Sequence, residues 1–262
     1  MTKQLSSPML LDHITHLIRE GPASFLLSVV SGFVDTAGFI ALFGLFTAHV
    51  TGNLLLAGAS IIQSDKSGVI SRLAMIPVFM TAIILTSLVA RLARHHGRSV
   101  LAVLLTIEAL ALGVFMLTGA AMETRLSAPE HEMAVIIVGA TGVIAMGIQN
   151  ALMREAATNL PPTTVMTGNL TQFTIDLLQS VSWAKPQPSA EHSESEVAKA
   201  RRRLVRYAPT LVGFILGAAL GAYGVAQFRF WSILFPLFII ILLSVATVRA
   251  QHLSPPFEHI LK

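Results

Sequence analysis

The triplet Thr-Gly-Asn occurs twice in this chain, each time inside an apolar stretch: AHVTGNLLLAGASI covers residues 48–61, and TVMTGNLTQFTIDLL covers residues 164–178. Asn53 and Asn169 are 116 positions apart. Glycine weakens a helix interior through its backbone entropy, and asparagine weakens it by competing for backbone hydrogen bonds. A polar, helix-weakening triplet that recurs in apolar surroundings therefore indicates a duplicated structural unit.

The composition around the triplets is that of a membrane protein. Of the 262 residues, 53% are hydrophobic and 12% are charged, with a mean hydropathy of +0.70, whereas soluble domains have about 25% charged residues. A helix needs about 20 apolar residues to cross a bilayer. Runs near this length lie at 24–46, 73–90, 99–119, 133–152, 207–226 and 230–248. They predict an all-α polytopic membrane protein with six transmembrane helices.

The charge distribution predicts the orientation of these spans. Six crossings put both termini on one side, and 14 of the 18 Lys and Arg residues fall in the tails and loops of that side. By the positive-inside rule both termini are cytoplasmic. The basic cluster RRRLVR at 201–206 fits this topogenic role. No aromatic residues are interleaved with it, so nucleic-acid binding is not predicted.

The predicted organisation follows from these spans. A cytoplasmic lead-in, 1–22, is separated from the first span by a break at Gly21-Pro22, and it has no apolar core like that of a signal peptide. The first membrane repeat covers 23–120, an extracytoplasmic loop 121–132, the second membrane repeat 133–250 and a cytoplasmic tail 251–262. The second repeat contains a cytoplasmic loop, 184–203, which includes the Pro/Ser/Glu-rich segment KPQPSAEHSESEVAK at 185–199.

The two triplets lie in matching positions of the two repeats. Residues 32–35 align with residues 147–150, and residues 51–53 align with residues 167–169, with one residue of slippage. The repeated unit contains three spans, an odd number, so the copies have opposite orientations and a three-plus-three inverted repeat is predicted.

An extra crossing at 163–183 would move the basic cluster outside, so each triplet segment is predicted to be a re-entrant or discontinuous helix. The alternative interpretation, which stays open here, is that the triplets only pack helices together.

The paired motifs SGFVDTAGF…AHVTGN and GIQNA…TTVMTGNLT resemble those of the YoaK family of bacterial integral membrane proteins, and the resemblance covers roughly residues 24–248. It implies a bacterial inner (plasma) membrane location. The family has no established biochemical activity, so the resemblance implies no substrate and no catalytic residues.

Acidic residues inside the apolar segments are the candidate ion sites. Asp35 and Glu108 lie near the midpoints of the first and third predicted spans, and Asp176 lies in a more polar segment. Aligning Asp35 with Asn150 would move it towards one end of its span. A charged residue at the bilayer centre costs about 2.5–3.5 kcal/mol on insertion scales. Such an acid is therefore either neutral and bonded to a neighbouring helix, or faces a polar cavity and binds a proton or cation. His49 is the one basic candidate near the membrane interior.

The predicted function is a small-solute permease of unknown substrate, with proton or cation coupling left open. The predicted substrate- and ion-binding residues are Asp35, His49, Thr51, Gly52, Asn53, Glu108, Gln149, Asn150, Thr167, Gly168, Asn169 and Gln172. The alternative from another class is a non-transporting membrane scaffold or assembly protein.

Catalysis is not predicted. The chain contains no cysteine, and it lacks a zinc-protease motif, a nucleophile elbow and a phosphate-binding loop. We therefore expect no catalytic residue, no metal, no cofactor and no enzymatic activity. The expected partners are the lipid bilayer and an unknown small solute or ion. A homodimer is left open, and nucleic acid is not expected.

Overall fold

The computed structural model describes residues 7–62, 68–128, 131–181 and 196–253, and the regular structure in these ranges is helical. The helices are α1 (Ser7–Ala41), α2 (Val50–Ile62), α3 (Val69–His95), α4 (Val100–Ala121), the single turn α5 (Glu123–Leu126), α6 (Glu132–Glu155), α7 (Met166–Val181), α8 (Glu196–Phe228) and α9 (Leu234–Leu253). A 3-10 turn at Arg229–Ile233 joins α8 to α9.

Five helical stretches are long and apolar enough to cross a membrane. They are residues 21–41 of α1, the whole of α3, α4 and α6, and a 54-residue stretch from Glu196 to Arg249 that contains α8, the 3-10 turn and most of α9. The predicted all-helical membrane class is confirmed. The 13-residue helix α2 is apolar but short: at 1.5 Å per residue it extends about 20 Å, less than the hydrocarbon core of roughly 30 Å.

Both ends of the first span differ from the prediction. The expected break at Gly21-Pro22 is wrong, because α1 continues through Pro22. A proline removes one backbone hydrogen bond of a helix, and this loss does not end α1. The helix then ends at Ala41, five residues before the predicted boundary. Phe43 and Gly44 have φ angles of 54° and 85°, which a right-handed helix cannot accommodate.

The predicted cytoplasmic loop 184–203 is helical in its last part, since α8 begins at Glu196. Its remainder falls among residues 182–195, outside the described residues. The first six residues of the predicted lead-in and residues 254–262 of the predicted tail also lie outside them.

Helices α1 and α8 pack closely and run parallel. Three glycines of α8, one turn apart, face carbonyl oxygens of α1, which a Cβ atom at these positions would approach to 2.2–2.5 Å. The residue numbers of the contacting pairs rise together along the two helices, which shows that they are parallel: Gly213 contacts Phe25, Gly217 contacts Val29, and Gly221 contacts Phe33. Small residues allow this close backbone approach in membrane helices.

Helices α3 and α6 form a second parallel pair, in which Gly139 lies beside Met75 and Gly147 lies beside Ala82. The short helices pack against the helices that follow them, α2 against α3 and α7 against α8. Helix α4 packs against α6 and α9, and α9 also packs against α1. The two segments that precede the short helices lie within this framework.

Candidate functional site

Residues 42–49, here called the first arm, connect α1 to α2 and fold back along α1. Asp35 lies six residues from the end of α1, nearer one end as its alignment with Asn150 indicated, and not at the midpoint of the predicted span. Its Oδ1 accepts hydrogen bonds from the backbone N–H groups of Thr47 (2.8 Å) and Ala48 (2.6 Å). Its Oδ2 lies 2.6 Å from Nδ1 of His49. Asp35 therefore holds the arm and orients the imidazole of His49.

Residues 156–165, the second arm, connect α6 to α7 and are held in the corresponding way. Asn150, which the sequence aligns with Asp35, accepts a hydrogen bond at Oδ1 from the hydroxyl of Thr164 (2.6 Å). The amide nitrogen of Gln149 lies 3.2 Å from the hydroxyl of Thr163 and donates to the carbonyl of Leu27 in α1 (2.7 Å). Polar side chains near the ends of α1 and α6 thus hold both arms.

The asparagine of each triplet closes the arm that precedes it. Asn53 makes two hydrogen bonds with the backbone of Phe46: its Oδ1 accepts from the N–H and its Nδ2 donates to the C=O, both at 2.8 Å. Asn169 donates to the carbonyl of Pro162 at 2.6 Å, again seven residues earlier. Proline has no N–H, so the second bond cannot form. Both asparagines are buried.

The glycines of the two triplets differ in how tightly they are packed. At Gly52 a Cβ atom would come within 2.9 Å of the Phe46 ring, which itself stacks 4.6 Å from the Phe39 ring. At Gly168 the nearest neighbour would be Val165 at 3.6 Å, an ordinary contact. The first triplet therefore requires glycine for its packing, and the second does not.

A partly open cavity of about 490 Å³, here called the central cavity, is lined by residues of both triplet segments, and Thr51 and Thr167 are exposed in it. Segments from three parts of the chain line it: Ala48, His49, Val50, Thr51 and Leu54 from the first triplet segment; Asn150, Thr164, Val165, Met166 and Thr167 from α6 and the second; and Ile76, Phe79 and Met80 from α3. The walls are mainly apolar, with a few hydroxyl, amide and imidazole groups. Since Nδ1 of His49 is engaged by Asp35, Nε2 is the nitrogen left for a solute or proton.

Four of the predicted site residues line the central cavity: His49, Thr51, Asn150 and Thr167. Six other predicted residues do not line it. Four of them are buried, namely Asp35, Asn53, Gln149 and Asn169, whereas Gly52 is half-buried and Gly168 is exposed. Gln172 donates to Asp176 in α7. Glu108 is fully buried in α4, away from the cavity lining, and within the described part of the chain neither of its carboxyl oxygens has a hydrogen-bond partner.

The sequence analysis missed two features of this region. Thr164 lines the cavity; the repeat aligns it with the apolar Ala48, so no signal in the sequence pointed to it. Asp176 accepts a hydrogen bond from Nε of Arg203 (2.7 Å), which ties α7 to α8. Arg203 had been assigned to the topogenic basic cluster, and no periodicity in the sequence pairs it with Asp176.

Among the described residues, no group of three or more His, Asp or Glu side chains could hold a metal ion.

Comparison with known proteins shows which family the chain belongs to. A family model described as a protein of unknown function, DUF1275, matches residues 23–246. The chain belongs to the DUF1275 family. Among relatives, it is similar to the UPF0700 transmembrane protein YoaK of Bacillus subtilis (strain 168), with 29% identity over 153 residues, 58% of this chain. The match spans 64% of that relative's length. No solved structure matches the chain.

Family membership confirms the predicted YoaK-like resemblance. The matched range of DUF1275 runs from the membrane part of α1 into α9, so it includes both arms and both triplets. The family description supplies no activity, and the function has to be argued from the central cavity.

Proposed function

We propose that this chain is a small-solute permease of the bacterial inner membrane, with the central cavity as its solute site. The observation that carries the proposal is that both Thr-Gly-Asn segments contribute to one cavity, Thr51 from the first and Thr167 from the second. Repeated broken segments that meet in one cavity are typical of transporter substrate sites.

Six crossings and a three-plus-three inverted repeat are part of this proposal. The helix contacts support it, because exchanging α1–α4 with α6–α9 in order converts most of the contacts between these helices into other observed ones; α3–α4 is the exception. The pair α1–α8 becomes α6–α3, the pair α2–α3 becomes α7–α8, and the pair α4–α6 becomes α9–α1. Each unit has three long helices and one short one, and the basic residues favour cytoplasmic termini.

We further propose that the arms and short helices are re-entrant. Each arm returns along the helix that precedes it, and the short helix then begins at the central cavity, α2 at Val50 and α7 at Met166. The N-terminus of a helix carries a partial positive charge. Two such ends, together with the imidazole of His49, favour an anionic or electron-rich group on the solute, while Ile76, Phe79 and Met80 suit a small apolar body.

In this mechanism, one half rocks against the other and opens the central cavity to each side in turn. His49 is the residue that would carry a coupled proton, because its Nε2 has no hydrogen-bond partner within the described ranges and Asp35 would stabilise an imidazolium. Glu108 remains a predicted ion-site residue outside the cavity. We propose no covalent chemistry and no cofactor, and we keep a homodimer as a hypothesis.

The test is a screen of metabolites and ions for binding to the detergent-purified full chain. Binding is detected as a shift in the thermal unfolding midpoint, with tryptophan fluorescence as the readout. A ligand at 100 times its Kd stabilises the folded state by about 2.7 kcal/mol. We expect Thr51→Val and Thr167→Val to abolish the shift of a hit. The matched control Thr174→Val removes an exposed hydroxyl that bonds only to Leu170 of its own helix, and it should keep the shift. Hits insensitive to both cavity variants would contradict the proposed site.

The second candidate function is a non-transporting scaffold or assembly protein. One observation favours it: the amides of Asn53 and Asn169 bond to their own arms and not to the central cavity. A scaffold would show no hit that depends on Thr51 and Thr167. Its Asn53→Ala and Asn169→Ala variants would lose abundance and phenotype together.

A further inference from the structure

A second cavity, of about 390 Å³, lies between the end of α6, the second arm and the start of α8. We call it the basic vestibule. Its polar lining includes Arg154, Thr158, Arg206 and Tyr207. In the sequence, Arg154 and Arg206 are two of the 14 basic residues on the predicted cytoplasmic side, where the positive-inside bias accounts for them. Their convergence on one cavity is a property of the folded chain.

The charge of the vestibule is unbalanced. Arg154 and Arg206 both line it, while none of its described lining residues is Asp or Glu. The nearest acid in sequence, Glu155, bonds through its Oε2 to Arg94 (2.6 Å). A guanidinium offers a planar set of donors that matches phosphate oxygens, and Thr and Tyr hydroxyls can add further hydrogen bonds. The vestibule therefore has the chemistry of a phosphate site.

The inner wall of the vestibule is thin. Asn150, Thr164 and Val165 line both the vestibule and the central cavity. The 2.6 Å hydrogen bond from the Thr164 hydroxyl to Oδ1 of Asn150 lies in this shared wall. An anion held by the arginines would consequently sit one side-chain layer away from the central cavity.

We propose that the basic vestibule binds a phosphate-bearing anion, held by Arg154 and Arg206 against the shared wall. The same chemistry is carried by the headgroup of an anionic lipid and by a soluble phosphate ester. This binding does not depend on transport, so the vestibule and the proposed permease function can fail separately.

The experiment titrates the purified full chain with glycerol 3-phosphate, at ionic strength matched with sodium chloride, and follows the thermal unfolding midpoint. A second part of the experiment compares the unfolding midpoint in nanodiscs of phosphatidylglycerol with that in nanodiscs of phosphatidylcholine. The variants are Arg154→Gln, Arg206→Gln and the charge-conserving Arg206→Lys. The matched control is Arg201→Gln, which removes one exposed charge of α8 outside the vestibule.

We expect stabilisation by the ester, by phosphatidylglycerol or by both. Each vestibule Arg→Gln variant should weaken the response at least tenfold in apparent Kd, or lose the lipid effect, with Arg206→Lys intermediate. Arg201→Gln should stay within twofold of the wild type. A response to the ester identifies a soluble anion, and a response to the lipid alone identifies a headgroup site.

Two results would overturn the proposal. One is the absence of any stabilisation beyond that of chloride or of zwitterionic lipid. The other is an equal loss in Arg201→Gln, which would reduce the effect to general surface charge. The ligand hits that depend on Thr51 and Thr167 should be unaffected by the Arg154→Gln variant. A hit that is lost in Thr51→Val and Thr167→Val but kept in Arg154→Gln therefore reports on the central cavity and not on the vestibule.

Discussion

Asn53 and Asn169 occupy equivalent positions but differ by one hydrogen bond, since Pro162 cannot donate to Asn169 as Phe46 donates to Asn53. Asn53→Ala leaves a backbone N–H and a C=O without their partner. An unsatisfied buried group costs about 1–3 kcal/mol. We expect Asn53→Ala to lower the free energy of unfolding more than Asn169→Ala does, by about 1 kcal/mol or more. Chemical denaturation of both variants in the same detergent measures this. Equal losses would show that the Phe46 N–H bond contributes nothing.

Asp35 combines two roles at the residue scale that substitutions can separate. Asp35→Asn keeps an oxygen for the N–H groups of Thr47 and Ala48 but loses the carboxylate oxygen that faces Nδ1 of His49, whereas Asp35→Ala loses both. Asn150 fills the aligned position with an amide. We expect Asp35→Asn to fold with nearly wild-type stability and to lose coupled flux. Asp35→Ala should be destabilised by about 1–3 kcal/mol.

Flux into liposomes and the thermal midpoint, measured on the same Asp35 preparations, check this separation. Asp35→Asn with unchanged flux and an unchanged dependence on proton gradient would remove the His49–Asp35 pair from the coupling mechanism. Asp35→Ala as stable as the wild type would show that the carboxylate does not hold the first arm.

At the scale of elements, the parallel pair α1–α8 depends on its glycines. Gly217→Leu would put a side chain where the Val29 carbonyl oxygen lies 2.2 Å from the ideal Cβ position. Overpacking of this kind costs about 1–3 kcal/mol and sometimes more. We expect a loss of at least about 2 kcal/mol in unfolding free energy. Gly113→Leu in α4 is the control and should be neutral, because no described atom beyond its chain neighbours and its own helix backbone lies within 4 Å of its Cβ position. Comparable stability of the two variants would contradict the close packing of α1 and α8.

Hydropathy predicted the long helices well because bilayer thickness imposes a length on any apolar span. It could not predict where α1 ends, because residues 42–46 are as apolar as the span and only the positive φ angles at Phe43 and Gly44 end the helix. The repeated triplet pointed to the central cavity through Thr51 and Thr167. It did not reveal that Asn53 and Asn169 turn back to their arms, since side-chain direction depends on the turn geometry.

At the scale of the whole molecule, the proposal is that two inverted units place their broken segments around one water-accessible cavity. The natural chain has no cysteine, so single cysteines can be introduced and labelled without background. A cavity that carries polar solutes must admit water, whereas a helix face against lipid does not. Accessibility to a water-soluble thiol reagent therefore tests the proposal without knowledge of the substrate.

The most direct measurement is the labelling rate of Thr51→Cys and Thr167→Cys in membrane vesicles with a small, charged, membrane-impermeant thiol reagent. Leu110→Cys is the control, because Leu110 lies in the apolar helix α4 and is 66% exposed on its outer surface. We predict that both triplet cysteines react, each from at least one side of the membrane, while Leu110→Cys stays unlabelled. If Thr51→Cys and Thr167→Cys are as unreactive as Leu110→Cys in folded protein, the triplets are packing elements in lipid and the proposed solute cavity is wrong.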